Sequence, residues 1–226
     1  MATSSTYTFN PALGALSVYA YNLAGLRATS LLQEHFEAAR MASNMICASW
    51  SNRGVNLWAV DLVTTPLVAS TATYAVDAST VMILDAYLVT DSVDRVIMPI
   101  SRTEYASYPN KDTEGTPSVY WFDRLISPTI TLWAVPDAVT ATSLKYYRVR
   151  RIQDAALTNA QQVEIPYLWL EAFAYALAQR LALIWSPDKA QMLKVLADEA
   201  YTIAAEQNTE YAAVYITPQL SSYWRP

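Results

Sequence analysis

Apolar residues recur at helical spacing near the start of the chain, alternate like strands through the middle, and return to helical spacing before the end. Asn10-Pro11 predicts a helix start, with Asn as N-cap and Pro at the first helical position. Leu13, Leu16, Ala20 and Leu23 then mark one helical face, and Gly25 is placed to end it. "TSLLQEHFEAARMASNMICASWSNRG" predicts a second, longer helix. Ser30 and Gln33 fit a capping box, and Leu32, Phe36, Ala39, Ser43, Ile46 and Trp50 form its stripe. Gly54 is the natural residue to close that helix in a left-handed conformation. Trp50 is then the last helical anchor, and "VNLWAVDLV" predicts a strand that begins with Trp58 close behind.

Residues 55–152 read mostly as strands. "TVMILDAYLV", "RVIMPISR", "SVYWFDRL", "TITLWAVP" and "SLKYYRVRRI" are rich in β-branched and aromatic residues. Turn signals separate them at Thr65-Pro66, Asp91-Ser92, Pro109-Asn110, Gly115-Thr116-Pro117, Ser127-Pro128 and Pro136-Asp137. "RTEYASY" predicts one helical turn, and Pro109 to Pro117 an exposed loop. After Pro166, "YLWLEAFAYALAQRLALIW" is apolar on nearly every face. Glu171 and the Gln179-Arg180 pair argue against a membrane span. Ala172, Ala174, Ala176, Ala178 and Ala182 instead suit a closely packed central helix. Ser186-Pro187 opens a last helix striped by Ala190, Leu193, Leu196, Ala200 and Ile203.

The expected fold class is α+β: a helical bundle with an inserted antiparallel β-sandwich-like domain and an extended C-terminal arm. The expected divisions are 1–54 and 153–208 for the helical part, 55–152 for the β domain and 209–226 for the arm. The arm carries Tyr211, Val214, Tyr215, Ile216, Leu220, Tyr223 and Trp224. That content is too apolar for an idle tail, and Pro218 and Pro226 discourage a continued helix.

Composition adds a surface argument. Charged residues make up 15% of the chain, against roughly 25% in an average soluble protein. A monomer of this size exposes on the order of 10,000 Å², so much of that surface is left neutral or apolar, the mark of an interface. The 16 tyrosines and 7 tryptophans point the same way. A net charge of −5 argues against a general nucleic-acid binder. Cys47 is the sole cysteine, so no intrachain disulfide forms. "MATSSTYTFNPALG" shows no secretory signal, which points to a cytoplasmic origin.

The chemistry-bearing motifs are missing: no G-x-G-x-x-G, P-loop, H-E-x-x-H or G-x-S-x-G occurs. His35, the sole histidine, reads as a surface or boundary residue beside Glu34. With Cys47 it falls short of a zinc site. Asp85, Asp91, Asp94, Glu104, Asp112 and Glu114 include no pair in a visibly apolar setting, as glycoside hydrolysis would ask. No catalytic residue, metal ligand or cofactor is therefore expected. "KYYRVRR", with Lys145, Arg148, Arg150 and Arg151, is basic on both faces of a strand and reads as exposed or at an interface.

Four segments carry a family resemblance by their order and spacing: "NMICASWSNRGVNLWAV", "ISRTEYASYPNKDTEGTPSVYWFDRLISPTITLWAVPD", "LKYYRVRRIQDA" and "IPYLWLEAFAYALAQRLALIW". Together they resemble the head-to-tail adaptor proteins of short-tailed bacteriophages, also called packaged-DNA stabilisation or tail accessory proteins, from about Pro11 to Pro218. The resemblance implies a structural virion protein in the neck, assembled in host cytoplasm. It implies a homo-oligomeric ring, usually of twelve copies, docked on the portal protein. Such a ring extends the DNA channel, helps retain the packaged double-stranded DNA without sequence-specific binding, and connects a tail or nozzle protein. It also implies a C-terminal arm reaching the portal or a neighbour, here through Tyr211, Val214, Tyr215, Ile216, Pro218, Leu220, Tyr223, Trp224 and Arg225. Asn110, Lys111, Asp112 and Glu114 are then candidates for a tail-side loop. Two other classes stay open: a tail-associated enzyme that cleaves peptidoglycan, and a receptor- or glycan-binding module using Tyr120, Trp121 or Trp133 as its platform.

Overall fold

Helix α4 (Leu170–Trp185) is the element on which the other long helices pack. Its small residues make this possible: Ala172, Ala174, Ala178 and Ala182 are buried beside Phe173, Leu177 and Leu181. Without bulk at the alanine positions, neighbouring backbones approach closely. Helices α1 (Leu13–Ala24), α2 (Gln33–Ser51) and α5 (Pro187–Glu206) all touch α4. The computed structural model describes residues 3–54, 56–137 and 143–209. The arm residues 210–226 lie outside that range.

The helix ends depart from the expected caps. Helix α1 starts at Leu13, with Ala12 as its N-cap. Asn10 does not cap it. Its amide donates to Gln162 Oε1 (3.0 Å), and Gln162 Nε2 donates to the Asn10 carbonyl (2.8 Å). The Leu13 N–H is satisfied by the Gln161 carbonyl. Gly25 does end α1, at φ +91°, with its N–H on Asn22 and the Leu26 N–H on Tyr21 in a Schellman arrangement. The capping box expected at Ser30 and Gln33 is absent, because Ser30 belongs to a separate 3₁₀ turn (Ala28–Ser30) and bonds back to Arg27. Instead the Leu32 N–H donates to His35 Nδ1 at 3.1 Å.

Gly54 does not close α2 as expected. The helix ends at Ser51, its Asn52 cap is right-handed, and Gly54 sits beyond it at φ +150°, outside the left-handed helical basin. A side chain is still disfavoured at that angle. The strand expected from Val55 begins later, because Leu57–Ala59 form a 3₁₀ turn. That turn brings Trp58 to Trp169. The rings of Trp50 and Trp58 each lie 5.1 Å from the Trp169 ring. Tyr201 of α5 contacts both Trp169 (5.4 Å) and Trp50 (5.7 Å), and Arg53 lies 4.4 Å over the Tyr201 ring.

Between these tryptophans the chain builds a seven-stranded sheet in the order β1-β9-β3-β4-β6-β7-β2. The strands are β1 (Val60–Pro66), β2 (Thr73–Ala75), β3 (Thr80–Thr90), β4 (Val93–Pro99), β6 (Val119–Asp123), β7 (Thr129–Trp133) and β9 (Ser143–Arg150). Two short strands, β5 (Glu114–Gly115) and β8 (Val135–Pro136), pair separately. Asp91 and Ser92, both at positive φ, turn the β3–β4 hairpin.

The sheet is mixed and curled on itself, where an antiparallel sandwich was expected. Strands β4 and β6 run parallel, pairing Met98 with Val119 and Pro99 with Tyr120. Parallel neighbours need a crossover connection, and here it carries the short helix α3 (Arg102–Ser107). The curl encloses a second core of Tyr74, Ala86, Leu88, Ile97, Tyr120, Ile130, Leu132, Leu144 and Tyr146.

Truncating Trp169 to Ala removes the ring shared by α2, α5 and the 3₁₀ turn before β1. The expected loss is about 3–5 kcal/mol, read as a fall in denaturant midpoint. A loss below about 1 kcal/mol would show that the other rings close the gap.

Candidate interaction surfaces

The residues that sequence reading marked for chemistry are held in structural roles. His35 is buried, a correction to its expected boundary position. Its ring stacks on Trp185 at 4.8 Å, and its carbonyl accepts from Tyr21 Oη at 2.6 Å. It is buried because α2 begins only two residues earlier, which turns its ring inward against α1 and α4. Cys47 is also buried, and burial pushes its thiol up to about 11, far from a reactive thiolate. Among the described residues, no three His, Cys, Asp or Glu side chains gather where they could hold a metal. Likewise, none of the described helices is long and apolar enough to cross a membrane.

Two arginines of the basic strand are internal, a second correction, whereas Arg151 is exposed as expected. Arg148 and Arg150 of β9 keep only 14% and 17% of their side chains exposed. Arg150 Nε donates to Asp61 Oδ2 at 2.9 Å, and its Nη1 to Glu164 Oε2 at 2.7 Å. Arg148 pairs with Asp61 and Asp77 at 3.5 and 3.3 Å. Lys145 pairs with Asp94 at 3.1 Å. The acids that satisfy this strand stand on β1, on the loop before β3, on β4 and on the segment after β9, so sequence distance hid them. The Arg150 guanidinium, helped by the Gln153 N–H, holds the Glu164 carboxyl below its ordinary range. This pair joins the end of the sheet to the segment that leads back into the helices. Nearby, Asn44 of α2 grips residue 155 at both its N–H and its carbonyl, each at 3.0 Å.

The 109–117 segment is exposed as expected from Pro109 to Glu114, but Glu114–Gly115 form β5 and Pro117 is buried, and the segment is built on the sheet. Tyr105 stacks on Trp121 (5.5 Å) and Tyr108 on Trp133 (4.3 Å, 14° between planes). Trp133 Nε1 donates to the Asn110 carbonyl, and Lys111 Nζ to the carbonyls of Ala106 and Tyr108. Asn110 Oδ1 accepts the Asp112 N–H, and Glu114 accepts from Ser70 Oγ at 2.7 Å. Asn110, Lys111 and Asp112 thus lie on one exposed loop, with Glu114 exposed at the start of β5. The would-be glycan platform is used differently: Tyr120 is buried, and Trp121 and Trp133 each give a face to a tyrosine of the chain itself.

The structure adds apolar surface that periodicity did not locate, and corrects Ile203, expected in the packed stripe of the last helix, which is exposed. Met192, Val195 and Ile203 project from α5, Leu183 and Ile184 from α4, and Met41 and Met45 from α2, all more than half exposed. The outer face of the sheet presents Leu62, Val96 and Met98. A cleft of about 660 Å³ opens between α1 and the start of α4, lined by Phe9, Tyr19, Tyr167, Leu168 and Tyr175.

A model of the SU10 adaptor proteins matches residues 24–219. The chain belongs to the SU10 adaptor protein family. It is thus a structural phage adaptor, in line with the resemblance of its four ordered segments. No curated protein matches it.

Replacing Glu164 with Gln leaves the Arg150 charge without its bidentate partner. The expected cost at neutral pH is about 1–3 kcal/mol. Because the folded carboxyl titrates below its unfolded value, its contribution is complete above the ordinary carboxylate range. It disappears as pH falls through the folded value. The gap between wild type and Glu164→Gln should therefore narrow on acidification in pH-dependent denaturant melts. A gap that is constant with pH would remove the ion pair as its cause.

Proposed function

We propose that this adaptor is the subunit of a ring that docks on the phage portal, continues the DNA channel and offers the tail its attachment surface. Family membership supports the adaptor role, and the observation that carries the ring is the exposed apolar surface on three helices and the outer sheet face. A chain with 35 formally charged side chains, 15 basic and 20 acidic, already commits part of them to ion pairs at Arg148, Arg150 and Lys145, the two arginines largely buried. What faces outward is therefore suited to neighbours more than to water.

The role in the channel follows from charge. A wall of net negative protein does not hold phosphates electrostatically, so duplex DNA can pass. The segment 209–226, with Tyr211, Val214, Tyr215, Ile216, Pro218, Leu220, Tyr223, Trp224 and Arg225, supplies a contact to a neighbouring subunit or the portal. The exposed loop of Asn110, Lys111, Asp112 and Glu114 supplies a contact on the tail side.

Light scattering of the isolated protein should report a monomer or weak associations, and mixing with folded portal should produce large, defined assemblies. Absence of assembly would remove the reading. Duplex DNA binding by the isolated protein should be weak, sequence-independent and lost as salt rises. Tight, sequence-dependent binding at physiological salt would contradict a channel wall. Deleting residues 209–226 should abolish assembly on the portal while shifting the melting temperature little.

A further inference from the structure

We infer that the apolar cleft between α1 and the start of α4 is the seat of this chain's own C-terminal segment, residues 210–226. The cleft is a mainly apolar recess in the helical part, about 660 Å³, a volume that suits a few large side chains. Its rim holds rings in water: Phe9, Tyr19, Tyr167 and Leu168 are all more than half exposed. Phe9 is held there by the Asn10–Gln162 amide pair and by an edge contact of 6.4 Å with Tyr167. The recess is therefore built, and it is uncovered on one side.

Three observations choose the occupant. The first is where the chain ends. Only Ser186 separates α4 from α5, so the two helices run antiparallel, and the end of α5 returns to the start of α4. Tyr201 packs on Trp169, and Asn208 Oδ1 accepts the Leu57 N–H at 3.1 Å. Trp169 is the last residue of the 3₁₀ turn whose Tyr167 and Leu168 line the cleft. The chain thus leaves α5 next to Trp169 and Leu57, at the same end of α4 at which the recess opens. The second is reach: the 17 residues 210–226 span up to ~55 Å when extended. The third is chemistry. The segment carries Tyr211, Tyr215, Tyr223 and Trp224, and its sole cation is Arg225. The cleft is lined by rings and aliphatics, and its sole charged residue is Glu171. Aromatic side chains cover such a recess, and the Arg–Glu pair gives the segment a direction.

This inference rests on the chain's own geometry and survives failure of the portal reading. The test places the photo-reactive residue p-benzoylphenylalanine at Tyr215 in the full-length protein and maps cross-links by mass spectrometry. Cross-links to residues 15–19 and 167–175 are expected. Their absence, or cross-links confined to the sheet, would overturn the inference. Leu168→Glu, on an exposed rim position, should lower the cross-link yield several-fold without changing the melting temperature; an unchanged yield would also overturn it. Mixing isotope-labelled and unlabelled chains then tells which copy supplies the segment. Mixed pairs support both the seat and an arm that bridges subunits. Pairs within one copy support the seat and remove the bridge.

Discussion

Trp169 occupies the one point through which the chain must pass twice. The backbone leaves the helices at Trp50, turns, and starts the sheet just after Trp58. It comes back through the turn that carries Trp169. All three indoles meet there, with Tyr201 of the last helix closing the group. An insertion of this length needs its exit and return held together, or loop entropy would let the sheet drift from the helices. Two polar clamps reinforce the same junction: Asn44 on residue 155, and Arg150 on Glu164. Ring contacts supply area, and the clamps supply direction.

This junction shapes the surface. The largely buried Arg148 and Arg150 spend their charge on Asp61, Asp77 and Glu164 of the same chain. The helices bury one side on α4 and leave Met192, Val195 and Ile203 on the other. A chain with few charges, several of them internal, presents a surface that favours association. Family membership and this surface point in the same direction from independent sources.

Much of the fold was legible because helix and strand periods differ. Helices α4 and α5 followed from alanine spacing and from Ser186-Pro187, and the Asp91-Ser92 hairpin from its turn residues. Several of the errors share a physical origin, which is satisfaction from a distance. Asn10 could cap a helix locally but bonds Gln162. His35 looked like a boundary residue because nothing in the sequence says that Trp185 stacks on it. The parallel β4–β6 pair was hidden because strand direction is set by the crossover and not by strand composition. Of the proposed contact residues, the exposed loop at Asn110 to Glu114 was readable from its prolines and polar run. The apolar cleft was not, since Phe9, Tyr19 and Tyr167 converge only after α1 docks on α4. The arm residues were nominated by their aromatic and apolar content, by Pro218 and Pro226, and by the family resemblance.

The central claim is that this fold is a ring subunit whose apolar faces are covered by copies of itself on a portal. Electron microscopy of the protein mixed with its portal tests that claim most directly. The account predicts a closed ring of additional density at one end of the portal, coaxial with its channel and with side-to-side contacts between copies. Folded protein that leaves the portal bare, or binds it as isolated copies without touching one another, would contradict it.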